Sequence, residues 1–213
     1  MMPFDGEKFL EDQAEQLTFE GSNFRPAWSS DGQMIAFTQS ICGEVSCGVW
    51  MKNLQTGELA QVSHYGSYAS WNPINGKELL YRQTARESDG KQFGDSLWVY
   101  SVQTNSRLYL GRIVSPNYSN RHFNYSPNGD LIGFTSQYDN GEGIKFCTLS
   151  SNGGELNCPD IQIREFSWSP KGQIVCLSFD GTPMSETNGT LWVMEPSGDG
   201  QRPLILNDYE LIE

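Results

Sequence analysis

One phrase recurs four times along this chain and restricts its fold more than any other feature. It consists of an aromatic anchor, a short Gly-containing turn and an alternating apolar strand. The four copies are Trp28-Ser-Ser-Asp-Gly-Gln-Met-Ile-Ala-Phe37, Trp71-Asn-Pro-Ile-Asn-Gly-Lys-Glu-Leu-Leu-Tyr81, Tyr125-Ser-Pro-Asn-Gly-Asp-Leu-Ile-Gly-Phe134 and Trp168-Ser-Pro-Lys-Gly-Gln-Ile-Val-Cys-Leu177. Their anchors fall 43, 54 and 43 residues apart. Strand-type units repeated every ~40–50 residues mean a propeller or an array. The expected fold is therefore all-β: a β-propeller of four-stranded antiparallel blades, with four repeats in this chain.

Within each unit an inner strand, A, ends at the anchor, and a tight turn leads to strand B. A variable loop then leads to strand C, marked by Val49-Trp50, Leu97-Trp98-Val99, Lys145-Phe146 and Leu191-Trp192-Val193. A hairpin with Gly or Asn leads to strand D at Leu59–Ser63, Arg107–Leu110, Glu155–Cys158 and Arg202–Leu206. The units cover about residues 24–63, 67–110, 121–158 and 164–207, within a propeller at 16–213 that follows an N-terminal arm at 1–15. Glu15–Phe19 reads as a further strand.

The A–B turn explains its own residues. Pro73, Pro127 and Pro170 preset φ near −65° at the second turn position, with Ser30 standing there in the first unit. Gly takes the left-handed position that follows. This makes the turn a folding device. The Trp anchors read as core, one face of an inner strand packing on the next sheet.

With these residues in view, the string Gln16-Leu-Thr…Arg25-Pro-Ala-Trp-Ser-Ser-Asp-Gly-Gln-Met-Ile-Ala-Phe37 followed by Val49-Trp-Met-Lys-Asn-Leu resembles the WD40-like (PD40) repeat of TolB-type β-propellers. The likeness extends over residues 16–207. It implies blades arranged around a central axis, a fold that hosts many functions. Propellers of that family usually have six or more blades, and this chain shows four. Three closures follow: a compact four-bladed ring, an open segment with exposed edges, or two chains sharing one eight-bladed ring as a homodimer. Covered edges favour the small closed ring.

The formal charge of −12 argues against nucleic acid, which needs a basic footprint, and against anionic membrane surfaces. No apolar run reaches the length of a membrane span. The first residues, Met1-Met-Pro-Phe-Asp-Gly-Glu-Lys, lack the basic and apolar regions of a signal peptide. Five cysteines bear on compartment. Cys42 and Cys47 flank a four-residue segment, and Cys147 and Cys158 face each other across a hairpin centred on Asn152-Gly153, within disulfide reach. Two local bridges with Cys176 free are the favoured reading, against five reduced buried thiols. The bridges and the resemblance point to a periplasmic or extracellular setting, with the cytoplasm as the alternative.

Function is sought where the repeats differ. The second unit lengthens the anchor-to-C segment to 27 residues, against 22, 21 and 24, and the segment that follows it is also 27, against 21 and 22. Both insertions, Arg82–Ser96 and Gly111–Arg121, fall on the face that carries the D–A and B–C loops. Arg82, Arg86, Phe93, Ile113, Tyr118 and Arg121, with His64 and His122 nearby, are the candidate binding residues. The favoured function is a non-catalytic interaction module binding another protein or a cell-envelope component. The alternative is an enzyme, or an accessory propeller of a peptidase or glycan-active enzyme. Two histidines cannot form a three-His metal site, and no Gly-x-Ser-x-Gly elbow occurs. No cofactor is expected. Ca²⁺ is the one ion considered, at Asp139-Asn-Gly-Glu142 or at Asp180 with Glu186, neither of which matches the spaced Ca²⁺ loop.

Overall fold

The A–B turns organise the structure as their residues demand. In the computed structural model, Gly32, Gly76, Gly129 and Gly172 all take positive φ, at 69°, 58°, 74° and 83°. Backbone bonds close each turn: Ser29 N–H donates to Met34 O, Ser126 N–H to Leu131 O and Ser169 N–H to Gln173 O, at 2.8–2.9 Å. Ile74, the extra residue of the second unit, widens that turn, so Gly76 N–H reaches back four residues to Asn72 O. The structure describes residues 6–8, 11–39, 47–86, 92–113, 123–137, 143–178 and 190–204.

Fifteen strands form four antiparallel sheets among the described residues. The first holds β1 (Asn23–Trp28), β2 (Met34–Gln39), β3 (Gly48–Asn53) and β4 (Leu59–Ser63) in that order. The second holds β5 (Gly66–Trp71), β6 (Glu78–Arg86), β7 (Gln92–Ser101) and β8 (Ser106–Ile113). In the third, β9 (Phe123–Tyr125), β10 (Leu131–Gln137) and β11 (Ile144–Ser150) pair, and a single Thr148–Asn157 bridge stands where a D strand was expected. The fourth comprises β12 (Ile163–Trp168), β13 (Ile174–Ser178), β14 (Thr190–Met194) and the two-residue β15 (Arg202–Pro203). Register repeats across the sheets: the anchor pairs with the first apolar residue of strand B as Trp28–Ile35, Trp71–Leu79, Tyr125–Ile132 and Trp168–Ile174.

Three apolar clusters fill the three spaces between successive sheets. Met34, Ala36, Val49 and Val62 of the first sheet meet Trp71, Leu79 and Tyr81 of the second. Leu80, Leu97 and Val99 meet Tyr125, Ile132 and Phe134 of the third. Phe146 meets Ile163, Phe166, Ile174 and Cys176 of the fourth. At the last of these, Gly133 is required by close approach, because a Cβ there would meet the Phe166 and Trp168 rings at 2.9 and 3.0 Å.

The anchors pack the opposite way from the expectation. Trp71 lies on the preceding sheet, its indole N–H donating to Ala27 O at 3.0 Å. Trp168 repeats this contact one joint later, donating to Asn124 O at 3.3 Å. Each acceptor is the residue just before the previous anchor. Tyr125 brings a phenol to the same place; its OH is buried and has no hydrogen-bond partner among the described residues. Among the described residues no sheet lies before Trp28, and it is 51 % exposed, against 6 % for Trp71. Between sheets, substantial packing joins successive ones among the described residues.

One further expectation is corrected, and another is met. Gln16–Phe19 forms no strand: it lies beside sheet 1, tethered by Lys52 Nζ donating to Leu17 O at 2.7 Å, with no ladder to join. Among the described residues of the arm, Glu11–Gln13 forms a three-residue 3₁₀ turn. The cysteine reading is met at the hairpin, where Cys147 and Cys158 are bonded with Cα atoms 4.2 Å apart and Cys176 is free and buried. Cys47 is also disulfide-bonded; Cys42, its expected partner, lies outside the described residues.

Candidate interaction face

The turns at Gly32, Gly76, Gly129 and Gly172 define one end of every sheet. The D–A and B–C connections leave from the other, where the second sheet departs from the rest. Strands β6 and β7 run for 9 and 10 residues, whereas β2 and β3 have 6 each and β10 and β11 have 7 each. Pairing continues from Gln83–Ser96 through Thr84–Asp95 and Ala85–Gly94 to Arg86–Gln92. The Arg82–Ser96 insertion is thus largely a two-stranded arm. Its two to four extra residues per strand carry it about 7–13 Å past the two neighbouring sheets.

Charged and aromatic groups gather at the base of this arm. Arg82 Nη1 lies 3.2 Å from Asp95 Oδ2, both side chains buried, and Arg82 Nε donates to Ser67 Oγ at 3.3 Å. Two guanidinium groups approach the Tyr68 ring, with Arg25 Cζ 3.2 Å and Arg82 Cζ 5.0 Å from its centroid. The electron-rich ring face attracts both cations. Backbone bulges set this up: pairing slips between Phe24 and Ala27 in β1 and between Ser67 and Ala69 in β5, and Arg25 and Tyr68 take φ of +57° and +56° there. Such angles are costly for residues with a Cβ and often mark a position held by its surroundings. Tyr68 N–H is held by Thr38 Oγ1 at 3.2 Å. Thr84 N–H donates to Tyr65 O at 3.2 Å and Ser63 Oγ to Gln83 Oε1 at 3.1 Å, tying the arm to the turn before β5.

The structure places the candidate residues unevenly. Arg82 is at this base. Arg86 and Phe93 stand in the arm strands, though only their backbone is described. Ile113 is 6 % exposed and packs in the cluster between the second and third sheets, so β8 continues where a loop was expected. His64 is exposed in the turn between β4 and β5. Tyr118, Arg121 and His122 lie outside the described residues, as do both acidic segments considered for Ca²⁺. Among the described residues no group of three or more His, Cys, Asp or Glu side chains is placed to hold a metal. Arg25, Tyr68 and Asp95 escaped the sequence reading. The first two share one repeat position, three residues before the anchors Trp28 and Trp71, and that coincidence was the available signal.

Comparison with solved structures bears on the fold. The chain is similar to TolB from Acinetobacter baumannii, with a TM-score of 0.57 and 17 % identity over 86 % of this chain and 43 % of that one. It is also similar to the β-propeller domain of the Trilobed protease from Pyrococcus furiosus, at TM-score 0.61 and 11 % identity, covering 86 % of this chain and 56 % of that one. Porphyromonas gingivalis dipeptidyl peptidase 4 matches at TM-score 0.63 and 12 % identity, over 89 % of this chain and 33 % of that one. The chain thus spans a third to somewhat over half the length of these proteins. No protein-family model matches it, and no curated protein does. At these identities the likeness shows a TolB-like β-propeller fold. In these sheets no helix is long and apolar enough to cross a membrane, among the described residues.

Proposed function

We propose that this chain is a non-catalytic propeller module that binds another protein or a cell-envelope component through the face bearing the arm. The carrying observation is the β6–β7 ladder itself, which continues through Thr84–Asp95 and Ala85–Gly94 to Arg86–Gln92 and makes much of the Arg82–Ser96 insertion a paired arm. A hydrogen-bonded two-stranded arm costs less conformational entropy on binding than a loose loop of equal length. Arg82, Arg86 and Phe93, together with Tyr118, Arg121 and His122 from the segment that follows β8 in sequence, include residue types that dominate interface energetics. The disulfides support a periplasmic or extracellular setting.

The test replaces residues 85–93 by Asn-Gly, which spares the Arg82–Asp95 pair, and separately shortens 114–121. Cross-linking capture from a cell-envelope extract is compared for wild type and both variants. Partner capture should fall at least tenfold in the arm variant while the melting temperature holds. Undiminished capture by both variants sinks the reading. A second reading, an accessory propeller of a peptidase, draws on the likeness to dipeptidyl peptidase 4. Peptide-library hydrolysis that is lost on His122→Ala would favour it.

A further inference from the structure

Strand β8 lies in mid-chain, at the outer edge of sheet 2, and it is the longest outer strand of the described sheets. It has 8 residues, against 5 for β4 and 2 for β15. Alternate residues of an edge strand turn their N–H and C=O groups away from the sheet. Strand β8 pairs with β7, and no backbone hydrogen bond leaves its outer edge among the described residues. Its first half, Ser106–Tyr109, is exposed on both faces, with Leu108 at 44 % and Tyr109 at 52 %. A Cβ built on Gly111 would meet nothing within 4 Å. The usual protections of an open edge, Pro and a short strand, are missing here.

Side-chain chemistry on this strand runs against the rest of the molecule. In a chain of net charge −12, β8 carries Arg107 and Arg112 and no carboxylate. The cross-strand pairs Tyr100–Arg107, Trp98–Tyr109 and Ser96–Arg112 set both Arg residues and Tyr109 on one face, because Ser96, Trp98 and Tyr100 alternate along β7. Leu108, opposite Val99, takes the other face. Arg107 is exposed but fixed: its Nε and Nη2 donate to Val62 O at 2.9 and 2.8 Å. No carboxylate lies within ion-pair distance of it among the described residues. Tyr109 is held edge-on to Trp98, with ring centroids 5.2 Å apart.

We propose that the outer edge of β8 takes up an extended acidic segment of a partner protein as a fifth strand of sheet 2. Main-chain hydrogen bonds to the edge supply affinity, and the alternating side chains supply selectivity. On the Arg107–Tyr109–Arg112 face the incoming strand carries an apolar or aromatic residue between two carboxylates, and on the Leu108 face it carries apolar residues. Charge also decides against a second copy as the occupant. Antiparallel pairing of two β8 strands about their middle would set Arg107 against Arg112 of the other copy, and like charges opposed across strands are destabilising. This site is on the rim of sheet 2 and does not depend on the arm.

The probe is a fluorescein-labelled peptide, Thr-Glu-Val-Phe-Val-Glu-Thr, titrated with the 213-residue chain and followed by fluorescence anisotropy. Binding should saturate below about 1 mM, the weak end of specific recognition, and should weaken as salt is raised. The same peptide with Lys in place of both Glu should bind at least tenfold more weakly. Tyr109→Glu should lower affinity at least tenfold with the melting temperature held. Arg107→Gln should lower it about three- to fivefold, the range of an exposed ion pair, and reduce the salt dependence. Hydrogen exchange on the wild-type chain needs no variant to fold: peptide should slow exchange in residues 106–113. Equal binding of the Glu and Lys peptides overturns the proposal, as does protection confined to another strand or an affinity indifferent to Tyr109→Glu. A dimer that protects residues 106–113 and that the peptide does not dissociate would make a second copy the occupant, and that also overturns it. The variant with residues 85–93 replaced should bind the peptide as the wild type does, which separates failure here from failure of the arm reading.

Discussion

Trp71→Phe, set beside Trp28→Phe, tests the sheet-to-sheet joint in a single comparison. At Trp71 the substitution removes the indole N–H that donates to Ala27 O at 3.0 Å, a bond with a net worth of about 1 kcal/mol. It also leaves a gap beside a residue only 6 % exposed, for a further loss of roughly 1–2 kcal/mol. The sum is about 2–3 kcal/mol. For a chain of this size that lowers the melting temperature by roughly 5–10 °C. At Trp28 the same exchange touches a half-exposed ring with no indole contact, so in the single chain it should cost under about 0.5 kcal/mol. Urea unfolding followed by far-UV circular dichroism measures both, at a dilution where light scattering reports one chain. Equal losses at the two positions, or a Trp71→Phe loss below about 0.5 kcal/mol, would refute the assignment of the indole contact as the repeated joint.

Three other outcomes follow from the geometry. Arg82→Met strands the Asp95 carboxylate in a buried setting and should cost roughly 3–5 kcal/mol, whereas Arg82→Met with Asp95→Leu should cost less; chemical denaturation of the three proteins checks the order. Opening the Cys147–Cys158 bridge by the double Ala exchange should cost about 3 kcal/mol on loop-entropy grounds, read as a lower urea midpoint, and the denatured but unreduced wild-type chain should titrate one thiol. Burial pushes the Cys176 thiol from 9.0 up to about 11, so the unfolded chain ionises first and stability falls as pH rises from about 9 to 11. Cys176→Val should remove on the order of 2 kcal/mol of that alkaline loss, leaving the part due to Tyr81 and Tyr125, whose phenols burial also pushes up.

Local chemistry was legible in the residues, and what depended on neighbours was not. The turn glycines, the strand order and the Cys147–Cys158 pairing follow from backbone preference and hairpin register, which act within a dozen residues. The Gln16–Phe19 segment has the alternation of a strand, but a strand exists only where a second one accepts its hydrogen bonds. Trp28 carries the same motif as Trp71, yet its burial depends on a sheet that precedes it, which no local pattern reports. The Arg82–Ser96 insertion looks loop-like because its charges and Gly residues lower strand propensity; the long β6–β7 register overrides that preference. The Arg25–Tyr68–Arg82 stack depends on two bulges, and a bulge leaves little trace in composition.

The most direct measurement of the central claim, that recognition occurs at the arm and not at the turns, is site-specific photo-cross-linking. One reactive side chain replaces Thr84 in the arm, and another replaces Gln55 in the exposed turn between β3 and β4, at the opposite end of the sheets. Illumination in a cell-envelope extract should yield a discrete adduct from the Thr84 position, with none from the Gln55 position. An adduct from Gln55 with none from Thr84, or equal yields at both, would contradict the account.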